Sequence, residues 1–491
     1  MNATGTIALG EAVNLINGDR GKNYPDRDAQ TSSGHCLFLN TKNVRQGYFD
    51  FAELAFIDKE RHSKLGGGTL CRNDIVVTIR GTLGNTAIYK DDIPFDVVRI
   101  NSAMLALRPK PDFDPDFIER FLRSTEFLDW VGLNQRGSAQ PHLRTADIEA
   151  ARLPLVPIRQ QGRIVAKIDS LTGKSKHARD HLDHIPRLVE KYKQAVLAAA
   201  FRGDLTREWR ARSFASGVSI ESLEELRSAA WQSDGKRRRY VSAADIDWKP
   251  DLDLPTGWLW ASVDQLSFLI QYGSSAKTAE ADAGVAVLRM GNLQNGEIDL
   301  SSLKYLPSDH GEFPDLLLDP GDVLFNRTNS PELVGKTAVY LGELEQVSFA
   351  SYLIRIKTCG IRPHLLSAYI NSAIGREWVA SVVNQQVGQA NVNGTKLRQL
   401  GVPVMPGPEQ EELLRRIQSA FKWIDRLASE ATSARSLIDR LDQSVLAKAF
   451  RGELVPQDPA DEPASALLQR IRAERGAAPK ARRGRRAKAD A

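Results

Sequence analysis

The sequence predicts an α+β protein in which two mixed units of sheet and helix are separated by two long helices, and three observations lead to that reading. First, the chain repeats itself at long range. Lys193 to Thr206 reads KQAVLAAAFRGDLT and Asp442 to Val455 reads DQSVLAKAFRGELV, 249 residues further on. The copy runs backwards without a gap, because Pro154, Pro157, Gln161, Ile164, Ile168 and Ser170 fall on Pro403, Pro406, Gln410, Leu413, Ile417 and Ser419. Solenoid units repeat every ~20–50 residues, so this period marks a duplicated half-molecule. Second, each copy holds a narrow apolar seam. Ile164, Ile168, Leu171, Ser175, Ala178, Leu182, Ile185, Val189, Tyr192 and Val196 advance by alternating steps of four and three, and so do Leu413, Ile417, Ala420, Ile424, Leu427, Ala431, Ala434, Ile438, Leu441 and Val445. That spacing belongs to helices that pack on each other. Third, the stretches before each copy have the texture of strands and turns.

Residues 1–153 form the first unit. Cys36-Leu37-Phe38-Leu39, Ile75-Val76-Val77-Thr78-Ile79 and Val97-Val98-Arg99-Ile100 are short, rich in β-branched residues and bounded by Gly, Asn and Asp, as strands are. A helix is expected over Asp116–Trp130. Residues 154–206 are the first long helical region, interrupted by Pro186, which removes a backbone donor and crowds the preceding turn. Arg435 holds the matching place in the second copy. Residues 207–256 read as a linker carrying the cationic run Lys236-Arg237-Arg238-Arg239. Residues 257–402 retrace the first unit: Leu39 to Val44 matches Leu288 to Leu293, and Asp74-Ile75-Val76 resembles Asp322-Val323-Leu324 one residue out of step. Residues 403–456 are the second helical region, and symmetric overlap of the seams sets 175–181 against 428–434. Residues 457–491 form a basic tail, expected to be disordered, with Lys480, Arg482, Arg483, Arg485, Arg486 and Lys488 among Ala, Gly and Pro.

Composition narrows the function. The 491 residues are 42% hydrophobic and 26% charged with a formal net charge of +5, ordinary globular material whose sign favours a polyanionic partner without proving one. Three scattered cysteines, Cys36, Cys71 and Cys359, form neither a disulfide framework nor a zinc site. Neither a secretory leader nor an apolar run of ~18 residues is present, and a cytoplasmic protein is expected. The nearest approach to a phosphate loop, Ser330 to Thr337, begins with Ser rather than Gly and runs into the strand-like Ala338-Val339-Tyr340-Leu341. A nucleotide site needs a helix there. No GxGxxG, Pro-Pro pair or HExxH occurs, so no metal site or catalytic centre is assigned.

What remains is recognition chemistry. Arg, Asn and Gln make bidentate contacts to guanine and adenine edges, and both units present them in glycine-flanked loops. The candidates are Asn40, Lys42, Asn43, Arg80, Asn134, Gln135, Arg136 and Gln140 in the first unit. In the second they are Arg289, Asn292, Asn326, Arg327, Asn329, Lys336, Gln385, Gln386, Gln389, Asn391 and Asn393.

With these residues in view the chain resembles the specificity subunits of type I restriction-modification systems. The resemblance lies in Pro154-x-x-Pro157 with Gln161 and Ile164, Pro403-x-x-Pro406 with Glu409-Gln410 and Leu413, the Val-Leu-x-x-Ala-Phe-Arg-Gly-Asp/Glu-Leu helix ends, and Gly321 to Thr328. It spans residues 1 to about 456. Gln160 stands where the second copy has Glu409. The resemblance implies two target-recognition domains, each reading half of a split double-stranded DNA site, held apart by the two helices as an antiparallel coiled coil. It implies docking of two methyltransferase subunits, which bind S-adenosylmethionine and methylate adenine, and of two restriction subunits that use ATP and Mg. The chain itself then holds no cofactor and is no enzyme. The alternatives are a chain with its own methyltransferase or nucleotide-hydrolysing activity, and a structural coiled-coil adaptor.

Overall fold

The computed structural model describes residues 5–477 apart from 22, 27, 138–139, 214–215, 236–238, 281–283, 295, 331–332 and 387–388. The chain divides into two compact units, residues 1–183 with 432–491 and residues 184–431. Five helices frame them: α1 (Ile158–Asp183), α2 (Ile185–Phe201), α3 (Ile220–Ser233), α4 (Gly407–Phe450) and α5 (Ala464–Ala477). Pro186 lies in the first turn of α2, where its missing N–H costs nothing, and the helical run is broken at His184. In the second copy α4 runs through Arg435 for 44 residues without a break.

Within the first unit, Val13–Asn17, Met104–Pro109, Ile75–Thr78 and Thr86–Ile88 pair in that order as an antiparallel sheet. Cys36–Leu39 lies between antiparallel Phe56–Ile57 and parallel Val98–Ile100. The second unit repeats the plan. Ser267–Tyr272, Leu353–Thr358, Val323–Asn326 and Thr337–Val339 form the antiparallel sheet, and Val285–Leu288 lies between antiparallel Lys304–Leu306 and parallel Val347–Phe349. Each plan is closed at its base by an antiparallel strand pair, Thr6–Ala8 with Arg152–Pro154 and Leu259–Ser262 with Gly401–Val404. The expected helix over Asp116–Trp130 is two helices, Pro115–Leu122 and Thr125–Asn134, because the Ser124 hydroxyl caps the second by accepting from Phe127 N.

The two helix copies are used head to tail. In the first unit the start of α1 (Ile164, Ile168) and the end of α4 (Leu446, Ala449, Phe450) share a core with Phe117 and Phe121. In the second unit the start of α4 (Leu413, Ile417) and the end of α2 (Leu197, Ala200, Phe201) share a core with Tyr369. Between these ends the seam differs from expectation. Leu171, Tyr192, Leu427 and Leu441 are 39%, 61%, 42% and 58% exposed, so the seam is buried where the helix ends join the unit cores and open between them. Arg179 reaches Asp439 at 3.0 Å and also Asp442, while Arg435 reaches Asp183 at 3.1 Å. Residues 175–181 therefore lie near 437–443 rather than 428–434. In the second unit Lys193 pairs with Asp425 at 2.6 Å.

One buried glutamine pins each unit to its helix. Gln161 Oε1 accepts from Asp114 N at 2.8 Å, and its Nε2 donates to Asp112 O at 3.2 Å and Val156 O at 2.7 Å. Gln410 Oε1 accepts from Arg362 N at 2.8 Å, and its Nε2 donates to Gly360 O at 3.1 Å and Met405 O at 3.0 Å. The neighbouring position explains why the copies differ there. Buried Glu409 is met by the Thr206 hydroxyl at 2.7 Å, the Trp258 indole at 2.9 Å and the Arg210 guanidinium at 2.5 Å. At the matching places the first unit has Val455 and Pro459 instead of Thr206 and Arg210. A buried carboxylate without its cation is costly, and neutral Gln160 avoids it.

Two expectations are corrected. The stretch 207–256 is not a bare linker, because α3 packs on the second unit with Leu223 and Arg227 buried, Arg227 Nε donating to Asp264 O and Ser267 O at 3.0 Å. Likewise the tail is ordered over α5, where Leu467 and Ile471, four residues apart on one helical face, join the first unit's core. Arg163 pairs with Asp461, and Arg470 with Asp112 at 2.9 Å. Lys236 to Arg238 and the cations from Lys480 onward lie outside the described residues. Among the described residues no helix is long and apolar enough to cross a membrane.

Candidate nucleic-acid interface

The candidate residues gather into two loop clusters in each unit. The first surrounds a short 3₁₀ turn, Thr41–Asn43 and its copy Met290–Asn292. Asn43 Oδ1 accepts from Asn40 N at 2.9 Å while Nδ2 donates to Asp50 O and Glu53 O at 3.0 and 2.8 Å. Asn292 makes the same three bonds, from Arg289 N at 2.8 Å and to Asp299 O and Ser302 O at 2.7 and 3.0 Å. The loop acid is also duplicated. Ala52 N–H holds Asp50, and Ser301 N–H holds Asp299, below the ordinary carboxylate range. Asn43 and Asn292 are thus buried frame residues with their amides spent inside the loop, which corrects their assignment as base contacts. Asn40 Oδ1 caps the turn by accepting from Lys42 N at 2.8 Å. Lys42 is exposed beside Glu53 at 2.9 Å, and Arg289 is half-buried.

The second cluster lies past the end of the central strand. In the first unit, Arg80 and Arg136 each bridge to His142 in an antiparallel ladder. Arg80, Gln135, Arg136 and Gln140 are exposed, and Asn134 is half-buried with its Nδ2 donating to Trp130 O at 2.8 Å. In the second unit the equivalent ladder is a three-stranded sheet, Thr328–Asn329 with Gln389–Asn391 with Asn384–Gln386. It brings Arg327, Asn329, Asn391 and Asn393 together with the backbone of Gln389. Asn393 caps the following helix, accepting from Lys396 N at 2.8 Å, and Asn329 Oδ1 accepts from Ser330 N at 2.8 Å. Lys336 is half-buried, its Nζ 3.0 Å from Gln294 Oε1 on the hairpin Leu293–Ile298. Asn326 is corrected: it is a fully buried strand residue whose Nδ2 donates to Leu333 O at 3.3 Å. Thr337 begins a strand rather than a helix, as its sequence suggested.

Two functional neighbours escaped the sequence reading. Tyr272 stacks under Arg327, its ring centroid 4.8 Å from the guanidinium carbon, but at the repeat offset it faces Asn23 and gave no signal. His142, centre of the first ladder, falls on Asn391 and could have been found by the offset alone. Among the described residues no group of three or more His, Cys, Asp and Glu is placed to hold a metal.

One scaffold is thus used twice, alike in frame residues such as Asn43 and Asn292 or Gln161 and Gln410 and different in its exposed loop side chains. Residues 8–185 match the family model described as type I restriction modification DNA specificity domain. The chain is 25% identical over 481 residues to the type I restriction enzyme EcoKI specificity subunit of Escherichia coli (strain K12), covering 93% of each chain. It is 23% identical over 473 residues to the StySPI specificity subunit of Salmonella potsdam, covering 93% of this chain and 92% of that one. A chain solved in work on complex assembly and conformational transition of the type I R-M system shares the fold, with a TM-score of 0.60 at 17% identity over 91% of this chain and 97% of that one. Over nearly its whole length the chain is thus similar to specificity subunits of type I restriction enzymes.

Proposed function

We propose that this chain is the DNA-reading subunit of a type I restriction-modification complex, the first unit reading one half of a bipartite double-stranded site and the second unit the other. One observation supports this above the rest. The two loop clusters rest on matching frames, Asn43 with Asn292 and Gln161 with Gln410, yet Arg80, Arg136 and His142 in one answer to Thr328, Asn384 and Asn391 in the other. A shared frame with different donors and acceptors suits the reading of two different sequences. The head-to-tail cores and the pairs Arg179–Asp439 and Lys193–Asp425 support an antiparallel coiled coil as the spacer. A helix of 44 residues is about 66 Å long, enough to hold apart half-sites whose centres lie ~34 Å from one another on one face of the duplex.

In this reading the chain docks two methyltransferase and two restriction subunits. S-adenosylmethionine, ATP and Mg act on those partners, within the cytoplasm. The exposed candidates, Lys42, Arg80, Gln135, Arg136, Gln140 and Asn393, with half-buried Asn40, Asn134, Arg289, Arg327, Asn329, Lys336 and Asn391, contact bases or phosphates, joined by Gln389. Sequencing the methylated sites in cells that hold this chain with its methyltransferase subunit tests the proposal: one bipartite motif with an unread spacer is expected. Methylation without sequence preference, or tight binding of S-adenosylmethionine or ATP by the isolated chain, overturns it.

A further inference from the structure

We infer that Arg327 reads a guanine in the half-site contacted by the second unit, with Tyr272 and Asn391 as the residues that position it; this rests on the DNA-reading function proposed above. Arg327 directly follows the central strand Val323–Asn326, and its backbone is fixed from two sides. Its N–H donates to Tyr352 O and its carbonyl accepts from Val392 N, both at 2.9 Å. The side chain is held as firmly. Its guanidinium lies over the Tyr272 ring, and Nη2 donates to Asn391 Oδ1 at 3.2 Å. The ring is itself anchored, because Tyr272 Oη accepts from Gly394 N at 2.7 Å. A Cβ at residue 394 would stand 2.7 Å from that oxygen, so a glycine is needed for the approach.

The partners are all neutral. Arg108 is paired with Asp74 at 2.8 Å and Arg398 with Asp264 at 2.5 Å, but no carboxylate lies within ion-pair distance of Arg327 among the described residues. Arginines that serve the fold without a counter-charge, such as Arg227, spend their guanidinium on main-chain carbonyls, whereas the Arg327 side chain donates to the Asn391 amide. Instead neutral partners hold Arg327 in a preset orientation. Its Nε is buried without a partner, so the edge left to an incoming ligand is the terminal pair Nη1 and Nη2, two parallel N–H donors. That edge matches guanine O6 and N7. A phosphate would accept the same donors, but Asn391 and Asn329 on adjacent strands of the same small sheet are amides of the kind that read base edges rather than cations that hold a backbone.

The test uses the full chain in complex with its methyltransferase subunits and a randomised DNA library, comparing the parent with Arg327→Ala, Arg327→Lys and Tyr272→Leu. The parent should select a guanine at a fixed place in one half-site. Arg327→Ala should lose roughly ten- to hundredfold for that site and become indifferent at that one position. Arg327→Lys keeps the charge but not the two-pronged edge, so it should recover overall affinity and not the preference. Tyr272→Leu should relax the same position while its circular dichroism and its selectivity in the other half-site stay those of the parent. A parent site without a guanine in that half overturns the inference, as does Arg327→Ala weakening all sequences alike with a flatter salt dependence, the mark of a phosphate contact. A parent that selects no sequence at all defeats the DNA-reading function itself, whereas a parent that selects and an Arg327→Ala variant that selects identically defeat only this assignment.

Discussion

Replacing Gln161 or Gln410 by leucine should loosen one unit and leave the other as it was. Each glutamine is buried, 0% and 5% exposed, and makes three hydrogen bonds to main-chain atoms, two in the segment it pins and one just before its own helix. Leucine fills the same space but strands one N–H and two carbonyls. At about 1–2 kcal/mol for each buried group left without this partner, the loss is roughly 3–6 kcal/mol, against domain stabilities of about 5–15 kcal/mol. Native-state hydrogen exchange by mass spectrometry on the full chain reads this locally. In Gln161→Leu the helix Pro115–Leu122 should exchange on the order of 10²–10⁴ times faster, with Pro363–Asn371 unchanged. Gln410→Leu should show the mirror image, and the double variant both effects. Gln161→Glu supplies a control with a sign. Its carboxylate would face two carbonyls, so its folded-state pKa is raised, and stability absent at pH 7 should return as the pH falls and the carboxyl becomes a donor. If both leucine variants keep parental exchange, the glutamines are bystanders and the pinning argument is refuted.

Replacing residues 1–153 by the equivalent part of a similar specificity subunit should change one half of the recognised site only; a change in both halves, read by methylome sequencing, refutes separable readers. Removing 175–181 together with 437–443 takes one heptad from each helix and shortens the proposed spacer by ~10 Å, about three base pairs. Selection from DNA of variable spacer should then yield a shorter spacer or no specific binding, and unchanged spacing in a folded variant would show that the helices do not set it. Glu412 is held at about 2 by Arg415 and Arg416, against an ordinary 4.5. Its contribution is therefore fully present above pH 4.5 and lost as pH falls through 2, so Glu412→Gln should be less stable than the parent at pH 6 and equal to it near pH 2 in urea titrations.

The frame was legible from the repeat because frame residues are the ones that stay alike: the glutamine pair and the Pro-x-x-Pro turns carried the boundaries. The same logic, applied further, would have rejected two site candidates. Asn43 and Asn292 are the same residue at the same offset, which fits a shared loop brace better than readers of different bases. Asn326 was misjudged for another reason, since both faces of its strand are covered and all four residues of Val323–Asn326 are buried whatever their type. The tail was judged by Arg475 to Lys488, whose cations mask the four-residue spacing of Leu467 and Ile471. No sequence signal could have supplied Tyr272, which reaches Arg327 across 55 residues by a contact that only the folded sheet creates.

The anchoring glutamines have one more consequence. Every atom they hold is a peptide N–H or C=O of their own unit, and the gripped residues differ between the halves, Asp112 and Asp114 in one, Gly360 and Arg362 in the other. A socket that grips only the peptide chain is blind to the identity of what is plugged into it. Sequence drift in the gripped segment leaves the joint intact, so new specificities can be acquired by recombination at residues flanking the glutamines without compensating changes in the helices.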